Sequence, residues 1–306
     1  MAYSANTTSG AHRPHIATIQ QQAISELVQY SGIILSVILI AIFLVRHYVF
    51  QGFLFKWLYG ELWTCMDDRT SRSFINHHIG GVIKIMVISA GVYPWLKVVF
   101  EDSNLNDPLG SSLRPSMGDL LSVLCLLFSA MYIFELGYRE KLSIIAVFHH
   151  IGAIIIGQVG LILSLNLPHN PESTIEFLMC VTWGAFDALA EFWPNLAMIL
   201  YRRYKGRHAL LSKVLLITAI VTVIGTVSET IVIMWLMAQS WSRWSLVFKI
   251  STPIFHTVFM AAQIHGSRNL YSMYKSQKSK RAEEAAVIEL EMGASRSSTS
   301  SKPIVA

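Results

Sequence analysis

The stretch FLMCVTWGAFDALAEFWPNLAMIL, residues 177–200, is long enough to cross a bilayer as a helix, and only two of its side chains, Asp187 and Glu191, are charged. About 20 apolar residues are enough for a helix to cross the hydrocarbon layer. An ionisable group inside that layer costs roughly 2.5 kcal/mol or more, so it marks a functional site by default. The stretch therefore predicts a membrane helix that carries a reactive centre.

The composition of the whole chain also indicates a membrane protein. The 306 residues are 53% hydrophobic and only 14% charged, whereas a soluble domain carries about 25% charged residues. The net charge of +5 lies in short loops and in the C-terminal tail, which argues against nucleic acid as a partner. The three cysteines have no metal-site spacing and imply no disulfide framework.

Seven apolar segments follow one another along the chain, each near the length of a spanning helix. No stretch has the alternating pattern of a membrane β-barrel strand. The predicted fold is an all-α bundle of about seven transmembrane helices (30–274), with a polar lumenal segment before it (1–29) and a disordered cytosolic tail after it (275–306). The segments run from Tyr30 to Val45, Ile79 to Leu96, Leu120 to Phe134, Ile144 to Leu165, Ile175 to Leu200, Val214 to Met237 and Leu246 to Ile264.

The basic residues predict how the bundle is oriented. Most of the 24 Lys and Arg residues fall on the side that carries the C-terminus, which the positive-inside rule places in the cytosol, with the N-terminus in the lumen. Asn6-Thr7-Thr8 is a glycosylation sequon on the lumenal side and favours an endomembrane such as the endoplasmic reticulum. Lys84 lies inside a segment and is expected to extend to the cytosolic interface.

Helical spacing gathers further polar side chains near the two carboxylates. Asp187 and Glu191 are four residues apart and share one face of their helix. In the predicted orientation, the polar groups converge on a cavity that opens toward the cytosolic leaflet, with partly aromatic walls. The additional polar groups are Glu135, His149, His150, His256 and Gln263, and the predicted wall residues are Trp183, Phe186, Trp193 and Phe255.

These residue types suit proton-transfer chemistry on an apolar substrate. A carboxylic acid in apolar surroundings resists ionisation and can donate a proton, which a second carboxylate or a histidine then takes up. Aromatic faces stabilise a carbocation by about 0.5–2 kcal/mol per contact. The alternatives are that Glu135 and the histidines are merely solvated at helix ends, and that Glu229 and His256 form a structural hydrogen bond.

Three motifs give the chain a resemblance to the TLC-domain superfamily, which includes the ceramide synthases and translocon-associated membrane proteins. They are Phe148-His149-His150-Ile151-Gly152, the Asp-x-x-x-Glu of Asp187 and Glu191, and Ala262-Gln263-Ile264-His265-Gly266. The similarity covers roughly 74–274. Trp183 and Gly184 replace the His-Asp pair that ceramide synthases carry before the Asp-x-x-x-Glu, which argues against acyl-CoA-dependent ceramide synthesis.

In size, helix organisation and intramembrane acidic residues, the chain is also similar to the fungal membrane-bound terpene cyclases of meroterpenoid pathways, of the ascofuranone and macrophorin type. That resemblance implies an isomerase that protonates and cyclises a farnesylated or epoxyfarnesylated aromatic precursor. Asp187 is then the initiating acid and Glu191 its partner, with Glu135, His149 or His150 as proton relay or terminal base. Trp183, Phe186, Trp193, His256 and Gln263 are the predicted substrate-binding residues.

We expect such a cyclase to need no metal and no other cofactor, because no diphosphate leaves and the chain has no Asp-rich metal motif. Adjacent histidines on a helix also point about 100° apart, a poor arrangement for one shared ion.

Two other functions remain open. A lipid acyltransferase of the ceramide synthase kind would use His149 or His150 as general base, whereas a non-enzymatic lipid-binding or cargo-handling protein would use the carboxylates only to shape a polar seam between helices.

Overall fold

The computed structural model describes residues 13–111 and 113–299, so the predicted glycosylation site Asn6 lies outside the described residues. The described chain is helical, with no strand in it, which confirms the predicted all-α class. Each of the seven predicted segments lies within or largely overlaps a long helix. These helices are α1 (Ser31–Leu44), α2 (Asp68–Val99), α3 (Met117–Tyr138), α4 (Ile144–Leu163), α5 (Ser173–Arg203), α6 (His208–Gln239) and α7 (Leu246–Thr299).

Within the described residues, five helical stretches are long and apolar enough to cross a membrane, so the chain is a multi-pass membrane protein. They are Glu26–Tyr59, Asp68–Val99, Met117–Tyr138, Ile144–His169 and His208–Gln239. In the first stretch, α1 continues through a π-helix, Val45–Leu54, and a short α-helix, Phe55–Tyr59. Helices α5 and α7 are less apolar, because α5 carries Asp187 and Glu191 and α7 runs on into a charged segment.

Side-chain caps define where α2 and α3 begin. Asp67 accepts a hydrogen bond from the Thr70 backbone N–H at 3.0 Å, ahead of α2. Ser116 and Asp119 form a reciprocal capping box at the start of α3. Such caps satisfy backbone N–H groups that have no partner within the helix.

Six of the helices form a closed ring, in the order α2, α3, α4, α7, α6, α5 and back to α2, and α1 packs outside against α3. Helix α4 also contacts α5, so these two helices divide the interior of the ring. The acidic face of α5 points into this interior, where Asp187 is 4% exposed.

The segment before α1 is more buried than its polar composition predicts. Ile16, Ile19, Ile24 and Val28 are each 2% exposed or less and pack into one apolar cluster with the ends of α2 and α3. These four apolar side chains seal one end of the helix ring.

The segment predicted to be a disordered tail extends α7 as a helix to Thr299. It contains many Ala, Glu, Lys and Arg residues, which are good helix formers, and no proline interrupts it before residue 299. His208 at the start of α6 holds this extension, with Nδ1 at 2.6 Å from the Gln277 Oε1 and Nε2 at 3.3 Å from the Glu284 Oε1.

Candidate active site

The two carboxylates of α5 meet one histidine of α4 inside the ring. His149 Nε2 lies 3.3 Å from Glu191 Oε1 and 3.7 Å from Asp187 Oδ2. His149 and Asp187 are 3% and 4% exposed. The imidazole therefore connects the two acidic groups that the sequence singles out.

Glu191 has two further partners, one from α2 and one from α3. Lys84 Nζ lies 2.9 Å from Glu191 Oε2, and the Tyr132 hydroxyl donates a hydrogen bond to the same oxygen at 3.3 Å. Lys84 is only 3% exposed, so the expectation that it extends to the interface is wrong. An ammonium group in apolar surroundings needs a counter-ion, and Glu191 provides one.

Asp187 has a different partner, the amide of Gln263 on α7. The Gln263 Nε2 donates to Asp187 Oδ1 and to Glu229 Oε2, both at 2.8 Å. Glu229 is 2% exposed, so a third carboxyl group joins the site from α6. One amide thus holds two acidic groups, and no described cation lies within ion-pair distance of Asp187 other than His149.

Glu135 and His150 form a separate pair next to this centre. The His150 Nε2 lies 3.5 Å from Glu135 Oε2, and Arg139 pairs with the same carboxylate. The Tyr132 ring stacks on His150 with 4.3 Å between centroids. Tyr132 therefore lies between this pair and Glu191 and contacts both.

Asp187 and Glu191 border two different cavities, and the two cavities differ in character. One cavity, of about 160 Å³, is lined almost entirely by apolar and aromatic side chains. Its ionisable lining groups are the Asp187 carboxyl group, two cysteine thiols and the Tyr132 hydroxyl. The other, of about 680 Å³, is polar, and Lys84, His149, Glu191 and Gln263 line it. It runs toward the helix ends that the charge pattern assigns to the cytosol.

The predicted wall residues divide among different places. Trp183 and Phe186 line the apolar cavity. Phe255 lines a third, smaller cavity, and Trp193 is 36% exposed and packs beside Phe192. His256 lies behind the centre, where it accepts a hydrogen bond from the Trp183 indole at 3.1 Å.

The sequence also allows the alternative hypothesis that Glu229 and His256 form a structural hydrogen bond. Their nearest atoms, His256 Nδ1 and Glu229 Oε1, are 3.9 Å apart, and the second ring nitrogen of His256 lies 3.1 Å from the Thr230 hydroxyl.

Sequence reasoning missed the roles of Lys84 and Tyr132. Tyr132 carried a usable signal, because it precedes Glu135 by three residues and so shares its helix face. Lys84 carried another, since an intramembrane lysine calls for a partner. That the partner is Glu191 follows only from the packing of α2 against α5.

His149, Asp187 and Glu191 also offer one ligand atom each within 4.8 Å of one another, the spacing that a metal ion needs. The Lys84 ammonium already supplies a positive charge at 2.9 Å from Glu191. A divalent cation bound there would compete with that ammonium for the same carboxylate.

No family model, curated protein or solved structure matches the chain. The fold and the site define its class directly: a multi-pass membrane protein, helical over its described residues, with a cluster of a histidine, a lysine and three carboxyl groups, of which Asp187 and Glu229 are buried.

Proposed function

We propose that the protein is a membrane-bound terpene cyclase that protonates and cyclises a prenylated aromatic precursor of the meroterpenoid type. The observation that carries the proposal is the position of Asp187, which lies in the wall of the apolar cavity and beside the polar cluster at the same time. The apolar lining of one cavity suits a prenyl chain, and the polar lining of the other suits a phenolic head. This arrangement places the hydrocarbon against the acid.

Charge pairing gives the two carboxylates different tasks. Lys84 supplies the charge that an ionised Glu191 needs, whereas Asp187 receives only the neutral amide of Gln263 and the imidazole of His149. Two neighbouring carboxylates do not both ionise readily in a site of low polarity. Asp187 is therefore the group that carries the proton at the start of the reaction.

The reaction is an isomerisation in which atoms and charge balance. The Asp187 carboxyl donates its proton to the oxygen of a terminal epoxide, or to a terminal alkene, and the C–O bond or the π bond breaks. The neighbouring alkene closes the ring and leaves a carbocation, which loses a proton from an adjacent carbon. Glu191 or His149 accepts that proton, and His149, with Nε2 3.3 Å from Glu191 Oε1 and 3.7 Å from Asp187 Oδ2, lies between the two carboxylates on the way back to Asp187.

The proposal includes the topology and location that the sequence predicts. It has seven spans, a lumenal N-terminus glycosylated at Asn6, a cytosolic C-terminus and an endoplasmic reticulum membrane. In this orientation the polar cavity opens to the cytosol, and the bilayer delivers the prenyl chain. The partners are a hydrophobic prenylated small molecule and the lipid bilayer.

The experiment is an incubation of microsomes that contain the protein with a farnesylated phenol or its terminal epoxide, followed by liquid chromatography and mass spectrometry. A product of unchanged mass and new retention time, absent from microsomes that contain Asp187→Asn at equal abundance, is the expected result. No conversion by wild-type protein of confirmed abundance would contradict the proposal. Acylation of an added sphingoid base that depends on His149 would instead indicate lipid acyl transfer.

A further inference from the structure

A third cavity, of about 110 Å³, lies at the opposite end of the helix ring from the mouth of the polar cavity. It is enclosed by the second half of α4, the first turns of α5, the start of α7 and Trp244, which lies two residues before α7. Its lining includes four aromatic side chains and a single carboxyl group. The aromatic residues are Trp183, Trp244, Phe248 and Phe255, and the carboxyl group is Glu176.

Glu176 is buried without a partner. The residue is 8% exposed, and neither carboxylate oxygen has a hydrogen-bond partner among the described residues. None of the ion pairs found in the described chain includes it either. A buried polar group left unpaired costs about 1–3 kcal/mol, and a charged group costs more, so this position calls for an explanation.

A second unpaired polar group faces the same cavity. The Trp244 indole N–H is buried and has no acceptor among the described residues, although Trp244 is only 4% exposed. Buried Tyr and Trp side chains usually find a partner for their polar atom. Two unsatisfied groups on one small cavity indicate a place that is built for a ligand rather than for packing alone.

Helical geometry explains how the cavity is assembled. Glu176, Met179 and Trp183 follow the spacing of one face of α5. Gly160 of α4 lies against α5, where a Cβ at this position would be in ordinary contact with the Phe177 Cα at 3.7 Å. The aromatic side chains of the α7 region close the remaining side.

We propose that this cavity binds an organic ammonium group, with Glu176 as its counter-ion and the rings of Trp183, Trp244 and Phe248 as its aromatic walls. A carboxylate next to aromatic faces is the environment that alkylammonium cations prefer, because the ring faces carry partial negative charge. An inorganic cation would require more oxygen ligands than one carboxylate and the hydroxyls of Ser251 and Thr252 provide.

The carboxyl group of this site lies away from those of the proposed reaction centre, although Ile156 and Trp183 line both this cavity and the apolar one. Glu176 and Asp187 are eleven residues apart on α5, about 16 Å along the helix axis at 1.5 Å per residue. The outward wall of the cavity is apolar and exposed, with Ile155 at 52% and Val159 at 39%. The ammonium group therefore reaches it from the bilayer side, either as part of a lipid headgroup or as a free amine.

The test is a titration of purified protein in nanodiscs with tetramethylammonium chloride, read by tryptophan fluorescence, with sodium chloride as the ionic-strength control. Nanodiscs of phosphatidylglycerol contain no ammonium headgroup, and nanodiscs of phosphatidylcholine contain one on every lipid. We expect saturable binding of tetramethylammonium in phosphatidylglycerol nanodiscs. Loss of that binding in phosphatidylcholine identifies the lipid headgroup as the ligand, and unchanged binding identifies a free amine.

Matched variants connect the signal to the site. Glu176→Gln and Trp244→Leu are each expected to weaken binding about tenfold, whereas Glu172→Gln removes a carboxylate one turn away and leaves binding unchanged. Glu176→Gln removes an unpaired buried charge, so we expect this variant to fold. A wild-type protein that does not bind, an equal response to sodium, or equal binding by Glu176→Gln would overturn the proposal.

Discussion

Asp187 and Glu191 show how one residue type takes different roles from its neighbours. They lie one turn apart on α5, yet Glu191 is paired with Lys84 and Tyr132, whereas Asp187 faces the apolar cavity and accepts from Gln263. The difference arises from α2, α3 and α7, not from α5 itself. Local sequence therefore marks both residues equally, and only the packing distinguishes them.

Replacement of Asp187 by Asn retains the shape and the contact with Gln263 but removes the transferable proton. We expect turnover in the cyclisation assay to fall by about 10²–10⁴-fold, the usual contribution of a general acid. The measurement is product formed per mole of protein, with abundance determined by immunoblot. Glu101→Gln, which changes an exposed carboxylate, is the control and should retain full turnover.

Lys84 gives a prediction about stability. Lys84→Met leaves the Glu191 carboxylate, which is 24% exposed, with only His149 and Tyr132 as partners, and should cost about 1–3 kcal/mol. The double variant with Glu191→Gln removes both charges and should recover a large part of that loss. Unfolding in detergent, followed by circular dichroism, measures both changes.

Lys97 is a suitable comparison on the same helix, because it pairs with the exposed Glu101 near the end of α2. Lys97→Met should change stability by less than about 1 kcal/mol, as surface pairs do. If Lys84→Met destabilised the protein no more than Lys97→Met does, the ion pair of Lys84 and Glu191 would not contribute to the stability of the fold.

At the scale of helices, the sequence predicts the elements better than their partners. Apolar length marks all seven long helices, and the spacing of Asp187 and Glu191 correctly places them on one inward face. The burial of Ile16 and Ile24 is not visible from sequence, because their surroundings are polar and their partners lie on α2 and α3. Contacts between helices depend on packing that no local pattern records.

Gly118 tests the contact between the N-terminal segment and α3. A Cβ at this position would lie 1.8 Å from the Ile24 carbonyl oxygen, which is backbone and cannot rotate away. Gly118→Ala should therefore destabilise the protein by about 1–3 kcal/mol, as overpacking does.

Gly137 lies in the same helix, with no atom within 4 Å of the Cβ that alanine would add. Gly137→Ala should stabilise by up to about 1 kcal/mol through helix propensity alone. Thermal unfolding of both variants in one detergent separates the two effects. Equal midpoints would show that the N-terminal segment does not rest against Gly118.

At the scale of the whole molecule, polar and apolar interior spaces are arranged along the bundle. The large polar cavity lies toward one end, the apolar cavity borders the carboxylates, and the aromatic cavity with Glu176 lies toward the other end. An amphiphile bound at the carboxylates thus has one orientation that suits both its parts. This arrangement fixes the orientation of the bound amphiphile relative to the membrane only if α5 crosses the bilayer.

Whether α5 crosses the bilayer is decided by the sides on which its two ends lie. Single cysteines introduced as Asn170→Cys, before α5, and Lys205→Cys, after it, are probed in sealed microsomes with a membrane-impermeant maleimide, in a Cys65→Ser background because Cys65 is exposed. We expect Lys205→Cys to react in intact microsomes and Asn170→Cys only after permeabilisation, because the positive-inside rule predicts a cytosolic location for the arginines at the end of α5. Reaction at both positions without permeabilisation would mean that α5 does not span. Asp187 would then lie in a re-entrant helix, and the cytosolic mouth assigned to the polar cavity would be wrong.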